Sequence, residues 1–118
     1  VNAHGTATPY NDEMESIAIH RAALDNVPVN GLKGFYGHTL GAAGIIETIL
    51  SMRALENGIV LPTIGFESTG TSYPLNIANQ IGQCIQYGVF IKLLSGFGGS
   101  NAGIAWRREP NRKEGGGL

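Results

Sequence analysis

The sequence predicts an α/β fold, and three stretches carry that expectation. Residues 12–24 place Met14, Ile17, Ala18, Ala22 and Leu24 near one stripe at helical spacing. Residues 40–56 are apolar almost all round over a helical length. Residues 86–94, rich in branched and aromatic side chains, and residues 102–107, with Ala102, Ile104 and Trp106 alternating, flank a glycine-dense turn, the pattern of a β-hairpin with a wide loop.

Taken in order, Val1-Asn2-Ala3-His4-Gly5-Thr6-Ala7-Thr8-Pro9 reads as a strand end entering a polar turn. Pro9 keeps Thr8 out of the α region, and Thr6 and Thr8 fall on one side if the segment stays extended. Asn11 or Asp12 can cap the helix over 12–24, with Asp12 and Glu15 as a capping pair. His20 falls off the apolar stripe and is expected at the solvated surface. Asp25-Asn26-Val27-Pro28 ends the helix, and residues 29–32 can form a short strand. Lys33-Gly34-Phe35-Tyr36-Gly37-His38 is then a loop. A lysine among glycines and aromatics is often simply exposed, and it gains interest only if buried and paired.

The helix over 40–56 is interrupted mainly by Glu47 and Arg53, and Gly58 stops it in the usual C-terminal manner. Its ~17 residues span about 25 Å. A helix apolar on all sides is normally buried on several, so part of its cover is expected from another subunit or a missing half. Pro62 makes residues 59–64 an extended, edge-like piece. Residues 67–73 are a polar turn, with a short strand near Leu75-Asn76-Ile77. In the hairpin, Lys92 is the one charge of the first strand, and Ala102, Ile104 and Trp106 share a face of the second. The charged, glycine-ended segment 108–118 is expected to be disordered.

Composition narrows the function classes. The 118 residues suit one domain but are few for an enzyme with a deep, two-sided site. Apolar residues make up 42%, while the 14% that are charged fall below the usual quarter or so. Some surface is therefore expected to be covered. A net charge of −1 offers no electrostatic case for nucleic acid or an anionic membrane. Cys84 is the only cysteine, which excludes an internal disulfide and a cysteine-rich metal site, and we read it as structural. His4, His20 and His38 lack zinc-ligand spacing, so no metal is expected. No apolar run reaches the ~18 residues of a membrane span and no signal peptide is visible. A reduced, cytoplasmic protein is the default expectation. The strand-like start without Met suggests a fragment, of marginal stability or oligomeric when alone.

Chemistry is expected around Gly37-His38-Thr39-Leu40-Gly41-Ala42-Ala43-Gly44, where a histidine opens a run of small residues leading into the apolar helix. Small residues let a ligand or backbone approach, and a helix start offers unpaired N–H groups. Taken alone, the stretch reads more readily as a turn followed by close helix packing. Glycines at 96, 98 and 99 can turn backbone N–H groups toward a ligand, as in oxyanion holes, or form merely a flexible loop.

Four segments in order, Asn2-Ala3-His4-Gly5-Thr6-Ala7-Thr8-Pro9, Lys33 with Gly37-His38-Thr39-Leu40-Gly41-Ala42-Ala43-Gly44, Leu61-Pro62-Thr63-Ile64, and Gly96-Phe97-Gly98-Gly99-Ser100-Asn101, resemble the C-terminal half of β-ketoacyl-acyl carrier protein synthases. The resemblance covers residues 1–107 and implies a thiolase-like fold, of which this is the second half of the αβαβα sandwich. It implies a decarboxylative Claisen condensation of an acyl thioester with malonyl-acyl carrier protein, in fatty acid or polyketide synthesis. His4 and His38 match the two histidines of a Cys-His-His site, whose task is to donate hydrogen bonds to an enolate. Neutral imidazole is the plausible form of such a donor.

The resemblance further implies that Lys33 and Glu15 form a buried pair and that Thr6 and Thr8 bind the phosphopantetheine arm. That arm arrives on the acyl carrier protein substrate, so no separate cofactor is implied. Ser95 stands where the family usually has an aromatic gate; its backbone N–H can still serve an oxyanion hole beside Gly96 and Phe97. Tyr36 replaces a small or polar residue beside Gly37 and narrows the malonyl side. The nucleophilic cysteine lies in the family's N-terminal half, so this chain alone is expected to be inactive. The implied partners are acyl carrier protein, the N-terminal half and a second copy of the complete protein. A non-catalytic, chain-length-factor-like subunit or acyl-carrier docking module is the alternative; a coenzyme A-using thiolase relative fits the motif spellings poorly.

Overall fold

The structure is a computed structural model and describes residues 1–82 and 88–110. Helix α1 covers Pro9–Arg21, α2 Lys33–Tyr36 and α3 Ala43–Glu56, the last entered through a 3-10 turn at Leu40–Ala42. Strands β1, Val89–Gly96, and β2, Ser100–Arg107, pair antiparallel. Parallel bridges join Lys92 of β1 to Asn2, Asn2 to Asn30, and Val29 to Ile77. The lateral order is therefore residue 77, residues 29–30, residue 2, β1 and β2. The short strands expected near 29–32 and 75–77 survive as these bridges. The segment bearing His4 runs through the middle, and Ala3, Ile19 and Val29 pack beneath it with Leu24, Leu75, Ile77 and Leu93 against them.

Helix α1 starts earlier than its polar residues suggested. Thr8 occupies the N-cap with extended backbone, Pro9 fills the first helical turn, and no side chain caps the helix. Proline's fixed φ suits that position and its missing N–H costs nothing there, so the expected Asn11 or Asp12 cap and the Asp12–Glu15 capping pair do not form. The Asp12 N–H instead donates to the Thr8 carbonyl at 3.0 Å. The helix ends at Arg21 rather than 24. Ala23 takes a left-handed φ of 56°, and Leu24 N–H reaches back to the Ile19 carbonyl at 3.1 Å, a Schellman closure that folds Leu24 onto Ile19. The buried face is Glu15, Ser16 and Ile19. The expected stripe is displaced from it, with Met14 exposed, because the polar ends of Glu15 and Ser16 find partners inside.

Residues 33–36, expected as loop, form the single turn α2. Helix α3 buries Ala43, Glu47, Thr48, Ser51, Ala54 and Leu55, while Ile45, Ile49 and Met52 stand exposed. Among the described residues only one face is covered, not several, and that face is the more polar one. Gly58, with φ of 65°, ends the helix as expected. At Gly44 a Cβ would lie 2.7 Å from Leu94 Cδ1, so glycine permits the close approach of α3 to β1.

The hairpin is tighter than its glycines implied. Ser95 pairs with Asn101 and Gly96 with Ser100, leaving Phe97-Gly98-Gly99 as the turn, with Gly98 and Gly99 both at positive φ near 80°. Gln86, Tyr87 and Cys84 lie outside the described residues, as does the tail from residue 111. Arg108 donates its N–H to the Gly88 carbonyl at 2.8 Å.

Candidate active site

His4 and His38 come from separate segments and meet. Their ring centroids lie 5.3 Å apart with the planes at 80°. His4 follows the central extended segment and is buried. His38 follows the Gly37 turn, and its Nδ1 accepts a 2.9 Å hydrogen bond from the Leu40 N–H. Leu40 holds a left-handed φ of 53° at that point. An imidazole accepting at Nδ1 carries its proton on Nε2. His4 is placed the same way, because the Lys33 ammonium lies 3.4 Å from its Nδ1 and donates to its carbonyl at 2.5 Å. Both rings thus present Nε2–H donors. Burial, with Lys33, Lys92 and His38 adding to it against the opposing pull of Glu47, holds the His4 pKa down at about 4, so this ring is neutral at physiological pH.

The partner of Lys33 is Glu47, not Glu15. Lys33 Nζ lies 3.1 and 3.0 Å from the two Glu47 oxygens, and Lys92 Nζ reaches Glu47 Oε1 at 3.2 Å and the Ala3 carbonyl at 3.0 Å. Glu47 and Lys92 are both fully buried. Helix geometry explains the correction: Glu47 sits one turn into α3 on the face covered by β1, while the Glu15 carboxylate is already committed. It accepts the N–H groups of His4 at 2.6 Å and Gly5 at 2.8 Å and the Asn11 amide at 2.9 Å. Burial pushes the Glu15 carboxyl up, and those donors pull against it. Its support of the site passes through the backbone that carries His4. Asp12 lines the adjoining cavity and receives the Asn11 amide at 3.3 Å.

Glu47 and Lys92 were missed as functional residues. The signal was present: Lys92 is the lone charge of its strand and Glu47 an acid in the apolar body of α3, and two such charges of opposite sign invite pairing. Burial pushes the Lys92 ammonium down, and Glu47 opposes that shift.

A cavity of about 710 Å³ opens beside the histidines, lined among others by Gly5, Thr6, Lys33, Gly37, His38 and Thr63. Thr6 and Thr8 share a hydrogen bond of 2.7 Å between their hydroxyls. The segment is not extended there, since Ala7 has a φ of 57°, yet the turn still brings the two hydroxyls together. Ser95, Gly96 and Phe97 lie at the hairpin tip, outside the lining of this cavity, and Phe97 is fully exposed. Tyr36 ends α2 and is partly exposed. His20 is exposed as expected, bonded to Asp25 at 2.6 Å and stacked on Tyr73. Among the described residues, no group of three or more His, Cys, Asp or Glu is placed to hold a metal ion, and no helix is long and apolar enough to cross a membrane.

Comparison with known proteins agrees with the literal motifs. Residues 1–67 match the family model described as Beta-ketoacyl synthase, C-terminal domain. The chain is 34% identical over 120 residues to a putative mitochondrial 3-oxoacyl-[acyl-carrier-protein] synthase of Schizosaccharomyces pombe, and 36% identical over 110 residues to 3-oxoacyl-[acyl-carrier-protein] synthase 1 of Escherichia coli. Each alignment covers 92% of this chain and 27% of the relative. The chain thus spans about a quarter of the length of these relatives. Among solved structures, a beta-ketoacyl synthase from Burkholderia phymatum superposes with a TM-score of 0.85 at 30% identity, over 92% of this chain and 27% of that one. The ishigamide ketosynthase/chain length factor does so with 0.84 at 31%, with the same coverage. The fold is accordingly the thiolase-like α/β class. Matched by the family model over more than half its length, the chain belongs to the β-ketoacyl synthase family, of whose C-terminal domain it forms part.

Proposed function

We propose that this chain is the C-terminal part of a β-ketoacyl-acyl carrier protein synthase that elongates an acyl thioester with a malonyl unit. An acyl group waits as a thioester on a cysteine outside this chain. Malonyl thioester, delivered on the phosphopantetheine arm of acyl carrier protein, breaks its bond to the carboxylate carbon. CO₂ leaves, and the electron pair enters an enolate on the thioester. His4 and His38 donate Nε2–H to that oxygen and lower its energy. The enolate carbon then attacks the acyl carbonyl, a C–C bond forms, and the cysteine thiolate departs. Thr6 and Thr8 receive the arm, and Ser95, Gly96 and Phe97 serve the acyl side once the N-terminal half is in place. The complete protein works in the cytoplasm as a homodimer and needs no separate cofactor; this chain alone is inactive.

The observation that supports this reading best is the convergence of two imidazoles, each accepting at Nδ1 and so donating at Nε2. The test is malonyl-acyl carrier protein decarboxylation by the complete protein. His38→Ala should abolish it, and an unchanged rate removes His38 from the reaction. A second reading, a non-catalytic chain-length-factor-like subunit or docking module, is favoured by the likeness to the ishigamide ketosynthase/chain length factor. Glutamine or glycine in place of the nucleophilic cysteine in the complete protein decides for it, and cysteine decides for the synthase.

A further inference from the structure

Lys92 is a fully buried cation in the middle of β1 that the condensation steps above do not call upon. A buried ammonium without excellent partners is costly, and one retained in a strand core is held by specific contacts. Its contacts here are informative. It reaches the carbonyl of Ala3, the residue before His4, at 3.0 Å, and Glu47 Oε1 at 3.2 Å. Glu47 is the same carboxylate that holds Lys33, and Lys33 bonds His4 at both its carbonyl and its Nδ1. One carboxylate thus lies between two ammonium groups, and the two ammonium groups grip consecutive carbonyls of the segment that carries His4.

We propose that Lys92 is a second positioning residue of the histidine site, holding Glu47 and the Ala3 carbonyl so that Lys33 stays directed at His4 Nδ1. The physical reason is competition for protons. Lys33 has three N–H groups and faces four acceptor atoms, two of them on Glu47. While Lys92 engages Glu47 Oε1, the carboxylate makes a smaller claim on Lys33, and a donor remains for His4 Nδ1. Without Lys92 the carboxylate turns wholly to Lys33, and the His4 ring loses the contact that fixes its tautomer. Lys92 also ties β1, and with it the Gly96-Phe97-Gly98-Gly99 turn, to α3 and to the His4 segment through one ammonium. The catalytic part of the inference rests on the condensation reading above; the structural part does not.

The test uses the complete protein with 15N-labelled histidine. His4 faces Lys33 from α2, Lys92 from β1, Glu47 from α3 and His38 from the following loop, while its N–H is held by Glu15 of α1. Lys92→Met removes one positive neighbour, so the His4 titration midpoint should rise from about 4 by about one pH unit, and its ring nitrogens should report a mixture of tautomers. Malonyl decarboxylation should fall about ten- to a hundredfold in kcat with KM unchanged. Lys92→Arg should recover part of the rate. If Lys92→Met does not fold, Lys92→Gln, which retains a donor for the Ala3 carbonyl, gives the same readout. An unchanged His4 midpoint and a fixed Nε2–H tautomer in the folded variant overturn the proposal, whatever happens to the rate. An altered His4 with undiminished decarboxylation upholds Lys92 as a positioning residue and counts against the condensation reading instead.

Discussion

Replacing Glu47 by glutamine preserves the shape of the side chain and removes the one carboxylate that two buried lysines share. Lys33 and Lys92 approach it at 3.0 and 3.2 Å. At an effective dielectric near 20, two unit charges at that separation attract by about 5 kcal/mol. Burying the charges opposes that gain, and each ammonium keeps a backbone carbonyl, of His4 and of Ala3, as a neutral acceptor. The net destabilisation expected is therefore about 3–5 kcal/mol, the range for leaving a buried charge without its partner. Denaturant unfolding of the complete protein measures it, provided the transition is two-state. Pairing the change with Lys33→Met should recover much of the loss, whereas Glu15→Gln with Lys33→Met should be additive. A loss below about 1 kcal/mol, or coupling of Lys33 to Glu15 rather than Glu47, refutes the assignment of this network.

Acid stability should report the depressed His4. Unfolded, the ring takes its proton near the ordinary 6.5, and folded it resists until about 4. Between these values the unfolded chain binds more protons, so stability falls as pH drops through that window, by about 3 kcal/mol in total. His4→Asn should flatten this slope in pH-dependent unfolding, and the comparison isolates it from Glu15, whose raised carboxyl contributes with the opposite sign. Glu15→Gln places an amide donor against one of the N–H groups of His4 or Gly5 and should cost about 1–3 kcal/mol, seen as an earlier unfolding midpoint. Gly34→Ala would set a Cβ 2.8 Å from the Ile64 carbonyl oxygen. Backbone cannot swing aside as a side chain can, so α2 and its Lys33 must shift, with a loss of about 1–3 kcal/mol and reduced decarboxylation; unaltered stability and rate would show that the contact relaxes freely.

The exposed side of α3 illustrates a boundary of pattern reading. Its apolar residues run round the whole helix, which indicates burial on several sides, and the described residues cover only the side bearing Glu47 and Ser51. Ile45, Ile49 and Met52 remain exposed, in keeping with a chain that spans about a quarter of its relatives' length. Periodicity reports how much of a helix is to be buried and is silent about which molecule, or which half, buries each face.

Local chemistry settled much of this protein. Glycine at 58, proline at 9 and the alternation of Ala102, Ile104 and Trp106 act through neighbouring backbone alone, so helix end, turn and hairpin were legible, with ends shifted by a few residues where Pro9 and Ala23 prevailed over the polar caps. The pairing of His4 with His38, whose rings the structure brings together, was legible as well, because both stand in literal motifs. Which charges pair was decided by tertiary structure. Lys33, Glu47 and Lys92 are far apart in the chain, and an electrostatic partner is chosen by distance and burial in three dimensions, neither of which sequence spacing encodes. The same holds for the His4 proton, whose tautomer follows from the Lys33 ammonium that only the folded chain brings to Nδ1, whereas His38 is fixed locally by the Leu40 N–H.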